Sequence, residues 1–233
     1  QNTQLDMQRC LVNLRAMEMM KYDVLNLSDD EFNFGEEFLS ENAAKFKLRL
    51  ISSNVKSGKI APYHMVNISG IHFAVIGLAN SKTRAKLKDF SFVDPKDALA
   101  GVIPTVKEKG ADIIILLSSL SEADNLKLVN EVPGIDIVIG RYEKANANNS
   151  QGKQKAIMLK PSWQGRRLGK TILSIENKKI LNYKTEEVRV SDKLADDPAV
   201  KAMLPRCFSD ADCEKSGLVR SCQDAGSLNS SCL

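Results

Sequence analysis

Just after Asp112 the chain carries an unbroken apolar run, Ile113-Ile114-Ile115-Leu116-Leu117. A strand covered on one face alternates apolar and polar residues, whereas a strand covered on both faces has no need to. The run is far short of the roughly 20 apolar residues that a membrane-crossing helix takes, and no stretch of the chain approaches that length. Upstream, Ala98, Val102, Ile103 and Val106 recur at helical spacing, which predicts a helix over residues 95–109 burying those four. Downstream, residues 121–130 read as a helix and 135–139 as a strand. A strand buried on both faces within a strand–helix–strand unit indicates an α/β layered fold.

The remaining pattern extends this reading. Met7, Cys10, Leu11, Leu14 and Met17 form one stripe of an amphipathic helix over residues 5–21, so Cys10 reads as a buried thiol. Residues 23–27 and 48–51 read as strands, with an acidic loop and a helix over 36–45 between them. Strands at 63–68 and 71–78 flank Ser69-Gly70, a tight hairpin signal. Strands at 156–159, 168–175 and 180–188 follow, the last two joined around Asn177-Lys178. The hairpins call for mixed β-sheets or a two-sheet sandwich flanked by helices. From about residue 191 the pattern fades, which divides the chain into an α/β domain over 1–190 and a tail over 191–233.

Charge and composition exclude some functions. The net charge is +4 and aromatics are 6% of the chain, too few to interleave with the basic residues as base-stacking platforms. The clusters Lys82, Arg84, Lys86, Lys88 and Arg166, Arg167, Lys170 therefore read as solvated faces, and no nucleic-acid partner is expected. Gly165-Arg166-Arg167-Leu168-Gly169-Lys170-Thr171 resembles a phosphate-binding loop but is one residue short. It also leads into the β-like Ile172-Leu173-Ser174-Ile175 instead of a helix, so it reads as a hairpin strand.

Cys207, Cys213, Cys222 and Cys232 crowd the tail. An even number of cysteines in a short polar segment reads as a disulfide-stapled tail, which implies an oxidising compartment. A four-cysteine zinc site is the rival, but the close pairs that build zinc knuckles are missing. Four cysteines allow three connectivities, and the sequence does not choose among them. The opening residues Gln1-Asn2-Thr3-Gln4 read as those of a mature or trimmed chain.

Several segments in order resemble one family. Tyr22-Asp23-Val24-Leu25-Asn26-Leu27-Ser28-Asp29-Asp30-Glu31-Phe32 is similar to the strand and Gly-Asn-His-Glu-Phe turn of the calcineurin-like metallophosphatase/5′-nucleotidase family. Leu50-Ile51-Ser52-Ser53-Asn54 resembles its Leu-Ser-Ala-Asn strand, and residues 112–120 resemble its strand ending Ser-His-Leu. Pro133-Gly134-Ile135-Asp136-Ile137-Val138-Ile139-Gly140 resembles the strand that leads to its Gly-His-x-His loop, and residues 164–169 with the hairpin after them are similar to its closing strands.

The resemblance implies an incomplete metallophosphatase-like fold, with the opening metal-binding motifs and central strands not matched. It also implies phosphoester hydrolysis on two divalent metals, which clamp the phosphate and supply a hydroxide. The matched positions depart from that pattern. The metal-binding Asn falls on Asp29, which could still hold a hard cation, and the catalytic His falls on Asp30. The later His positions fall on Ser119, Tyr142 and Lys144, and the two histidines present, His64 and His72, lie elsewhere and read as strand or surface residues.

These readings favour an exported, non-catalytic metallophosphatase-like domain, periplasmic or extracellular, acting as a binding or structural module with no cofactor. The alternative is a metal-dependent phosphoesterase using manganese or zinc, completed by upstream residues or a partner chain. A one-metal enzyme built on Asp29, Asp30 and Glu31 is a third reading, and a solvated acidic loop is the simpler account of those residues. An incomplete sheet exposes apolar strand edges, so a protein partner or self-association is expected there.

Overall fold

The computed structural model describes residues 3–28, 31–80, 90–143, 155–191, 193–202, 222–223 and 231–232. Asp29, Asp30, Lys144, Cys207 and Cys213 lie outside them. The chain divides into two compact units, one of residues 1–22, 42–48 and 192–233, the other of residues 23–41 and 49–191.

In the first unit, α1 (Thr3–Met19) follows the predicted stripe. Leu14 is buried and Met7, Cys10, Leu11 and Met17 are half-buried, while Asn13 and Arg15 face solvent. Near the C-terminus, residues 222–223 and 231–232 form a short antiparallel ladder.

In the second unit, β1 (Leu25–Asn26) pairs in parallel with β2 (Leu50–Ile51), both shorter than the sequence predicts. Between them a 3₁₀ turn, Glu31–Phe34, leads into α2 (Gly35–Lys45), whose last residues belong to the first unit. β3 (Val55–Lys56) pairs antiparallel with β6 (Ser91–Phe92), a contact that the sequence pattern does not signal. The main sheet has the order β4 (Tyr63–Ile68), β5 (Ile71–Leu78), β7 (Ile113–Ser118), β8 (Ile137–Ile139), β9 (Ile157–Leu159). β4 runs antiparallel to β5 and the other neighbours are parallel, so the sheet is mixed as expected.

The β4–β5 turn is carried by Ser69 at φ 53° and Gly70 at φ 84°. Two positive φ values give the primed turn that matches strand twist, and glycine adopts its value without a Cβ penalty. β10 (Arg167–Glu176) and β11 (Lys179–Arg189) form a second hairpin, so the segment resembling a phosphate loop is a strand from Arg167 on, while its first residue, Gly165, ends a short 3₁₀ turn. Its turn places Asn177 and Lys178 at φ 49° and 64°. Lys178 gains an ion pair there, with its Nζ 3.2 Å from Asp112 Oδ1.

One face of the main sheet packs on α3 (Pro95–Glu108) and α4 (Glu122–Glu131). Ala74, Ile76, Leu78, Ile114, Leu116 and Val138 point into that layer against Leu99, Val102, Ile103, Val106, Leu128 and Val129. Each large side chain buried there contributes about 1.5–3 kcal/mol. Leu99 is fully buried, whereas Ala98, predicted for the core, is only half-buried; the helix is rotated slightly from the predicted face. α3 starts where Asp94 accepts from the Lys96 amide and Pro95 needs no donor partner. A second apolar cluster joins Leu27, Phe32, Leu39, Val55, Ile60 and Ala79, with Phe32 edge-on to Phe92 at 5.7 Å.

Candidate functional site at the strand ends

The parallel strands β5, β7 and β8 and the pair β1–β2 all end on the same side of the second unit. In an open α/β sheet, ligands bind beyond the carboxyl ends of the strands, where apolar side chains give way to loops. Here those ends present Asn26, Ser28, Ser118, Ser119, Gly140 and Arg141, which line an open cavity of about 350 Å³.

Its floor is a set of backbone staples. The Leu78 carbonyl accepts from Asn26 Nδ2 at 3.0 Å, from the Ser119 amide at 3.1 Å and from Ser119 Oγ at 3.2 Å. Ser119 Oγ in turn accepts from the Asn80 amide at 2.7 Å. Asn54, fully buried, grips Ala79 through both amide atoms, each at 2.8 Å, and Ser52 Oγ donates to Asn54 Oδ1 at 3.2 Å. Ser118 Oγ donates to Asn125 Oδ1 at 2.7 Å, tying β7 to α4. Asn26 Oδ1 is the exception: it is buried and has no hydrogen-bond partner among the described residues. Nothing in the sequence resemblance singled out Asn26; a lone amide in a short apolar strand was the available signal.

Beside the cavity, Arg141 donates to Glu143 Oε1 through Nε at 3.2 Å and Nη2 at 3.0 Å. Glu143 Oε2 accepts from the Glu122 amide at 3.0 Å, and Lys160 Nζ lies 2.7 Å from Glu122 Oε2. The Glu122 N–H first, and then Arg141, hold the Glu143 carboxyl below the usual carboxylate range. The charges at this rim are thus paired with one another. Tyr142 is exposed next to them.

A larger cavity, about 840 Å³, lies at the opposite, amino-terminal ends of β7, β8 and β9. Several of its charged groups are engaged: Asp112 takes the His72 amide and Lys178, Asp136 takes the Ile114 amide, and Lys155 donates to the Asn130 carbonyl. His64 and His72 sit on β4 and β5 as expected. His64 Nε2 is 3.0 Å from an Arg49 nitrogen, and His72 Nε2 is 2.9 Å from Asn67. Burial first, then Arg49, lowers the His64 pKa.

No protein-family model matches the chain. It is 30% identical over 149 residues to a 5′-nucleotidase of Vibrio cholerae, covering 59% of this chain and 27% of that protein. A 5′-nucleotidase precursor from Thermus thermophilus superposes with a TM-score of 0.69 at 22% identity, over 80% of this chain and 42% of that one. The calcineurin-like phosphoesterase YfkN of Bacillus subtilis superposes with a TM-score of 0.67 at 18% identity, over 90% of this chain and 76% of that one. The chain carries a 5′-nucleotidase-like metallophosphatase domain. It spans about a quarter of the Vibrio protein's length and less than half of the Thermus structure.

In this 5′-nucleotidase-like domain the described residues at the strand ends do not fit a two-metal centre. A dinuclear site needs carboxylate, imidazole or amide donors converging on each ion. Among the described residues no group of three or more His, Cys, Asp or Glu could hold a metal. The sequence resemblance sets Ser119 and Tyr142 against two of the family's histidines, and the Ser119 hydroxyl is already engaged with Leu78 and Asn80. Asp29, the candidate metal ligand, lies outside the described residues, as do Asp30 and Lys144. Of the tail cysteines, Cys207 and Cys213 also lie outside them, while the backbones of Cys222 and Cys232 are brought opposite each other.

Proposed function

We propose that this chain is a non-catalytic metallophosphatase-like domain that serves as a binding or structural module. The observation that carries this is Ser119. At the strand-end position where the family resemblance places a histidine, a hydroxyl links the ends of β5 and β7 instead. It holds the scaffold together at a place where an active relative would present a ligand.

The module's binding surface is the β10–β11 hairpin. Both of its outer edges lack a ladder partner among the described residues, and Leu168, Ile172, Leu181, Tyr183 and Val188 are exposed on it. Unpaired edges with apolar side chains accept an added strand, through main-chain hydrogen bonds and pockets for alternate side chains. Export to the periplasm or extracellular space rests on the cysteine content of the tail.

Elemental mass spectrometry after incubation with manganese and zinc tests the reading, alongside an assay for 5′-nucleotide hydrolysis. Essentially no retained metal and no hydrolysis are expected. About two ions held per chain, the count of a two-metal hydrolase, would establish the other reading, a metal-dependent phosphoesterase. That reading draws on the 30% identity to a protein named 5′-nucleotidase.

A further inference from the structure

We infer that Cys222 and Cys232 form one disulfide with each other, closing the C-terminal end of the tail as a cross-linked hairpin. The sequence leaves three connectivities open for the four tail cysteines. The backbone chooses one partner for Cys222. Residues 222–223 (β12) and 231–232 (β13) pair antiparallel, in a register that sets Cys222 directly across from Cys232 and Gln223 across from Ser231.

Directly opposed residues of an antiparallel pair have Cα atoms about 4.5–5.5 Å apart, inside the roughly 4.4–6.8 Å that a disulfide spans. A neighbouring register would remove this match, because each one-residue slip turns a side chain to the other face. No other residue type at these positions would make the ladder's terminal pair covalent.

The ladder also needs such a link. An isolated two-stranded hairpin is marginal in water, and this one has two residue pairs, Cys222 with Cys232 and Gln223 with Ser231. Neither Gln223 nor Ser231 brings apolar surface to bury. A short polar hairpin with that composition holds its register through a cross-link. A different partner for Cys222 would leave this two-pair ladder without a covalent link across it.

The step is an oxidation. Two thiols lose two protons and two electrons as the S–S bond forms, and a donor disulfide, of a small thiol or a thiol oxidoreductase, is reduced to the dithiol. The inference is independent of whether the α/β domain is catalytic, and it would stand if metal binding were found.

The sequence provides its own assay. Cleavage after Arg206, Lys215 and Arg220 releases Cys207 and Cys213 together in one tryptic peptide, and Cys222 and Cys232 together in another, Ser221 to Leu233. The full chain is secreted into an oxidising compartment or refolded in a glutathione redox buffer, blocked with an alkylating reagent, digested without reductant and weighed. The expected result is an unlabelled Ser221-to-Leu233 peptide lighter than its reduced form by two hydrogens, which takes up two labels only after reduction. That peptide recovered cross-linked to the one carrying Cys207 and Cys213 overturns the inference, and so does labelling of both its cysteines before reduction. As a second arm, Cys222→Ser is expected to expose the Cys232 thiol to the reagent while leaving the labelling of Cys207 and Cys213 unchanged. A Cys232 that stays protected in that variant overturns the pairing as well.

Discussion

Asn26 and Ser119, on β1 and just past β7, bind the same acceptor: both side chains donate to the Leu78 carbonyl, at 3.0 and 3.2 Å. One oxygen at the end of β5 thereby ties together three strand ends that surround the cavity. The hydroxyl goes further and accepts from the Asn80 amide, so the loop after β5 is also fixed. Replacing Ser119 by Ala leaves the Leu78 carbonyl with two donors but strips the Asn80 N–H of its acceptor. A loss of about 1 kcal/mol is expected, the net worth of the hydrogen bonding that the hydroxyl provides to Asn80 and Leu78, read as a lower midpoint in chemical denaturation. A variant as stable as the parent would show that water replaces the hydroxyl there.

Gly77 sits against this same arrangement. A Cβ at that position would lie 2.5 Å from Asn26 Oδ1 and 2.8 Å from the Ile51 carbonyl, which belong to the β1–β2 pair. The glycine lets β5 approach that pair closely, and Ile51 cannot yield without moving its strand. Gly77→Ala is expected to cost about 1–3 kcal/mol, the usual range for overpacking. Gly101, with nothing within 4 Å of its would-be Cβ and a mid-helix position on α3, is the control, where Ala is expected to stabilise.

Asp136 gives the stability a pH dependence of known sign. Burial raises its folded pKa above the ordinary carboxylate value, against the opposing pull of the Ile114 N–H and Lys107. A raised folded pKa means a contribution fully present below the unfolded pKa of about 3.9 and lost as pH rises through the folded value. Asp136→Asn removes that titration, and its amide oxygen can still accept from the Ile114 N–H. The difference in stability between the variant and the parent is therefore expected to grow in the variant's favour from about pH 4 upward and then level off. Denaturation midpoints measured across that range check it, and a difference that does not change with pH would refute the assignment.

Much of this architecture was legible in the sequence because it rests on strong local signals. The continuous run at 113–117, the Ser69-Gly70 turn and the helical spacing of Val102, Ile103 and Val106 in α3 each specify their element without help from distant residues. The β3–β6 pair was not legible, because two residues on each side carry no period and the contact joins Val55 to Phe92 across a long stretch of chain. The floor of the cavity was hidden for a different reason. Asn26, Asn54 and Ser119 act through backbone carbonyls and amides, and a staple to the main chain leaves no mark in the identity of its partner. The family resemblance located Ser119 by position; only the geometry reveals what its hydroxyl does there.

The hairpin β10–β11 carries the last prediction. Leu181 and Tyr183 are 65% and 48% exposed on a strand whose outer edge has no partner among the described residues. An exposed edge with apolar side chains either accepts a strand from a partner or pairs with a second copy of itself. In the absence of a partner, the purified chain is therefore expected to self-associate as its concentration rises, seen as a concentration-dependent sedimentation coefficient. Leu181→Lys combined with Tyr183→Lys adds charge at the edge, the means by which natural sheets keep their edges apart, and is expected to keep the chain monomeric. Because both residues are exposed, the unfolding midpoint of the α/β unit should move little, on the order of 0.5 kcal/mol per site. A parent chain that stays monomeric and folds cooperatively at high concentration would mean that these edges need no covering.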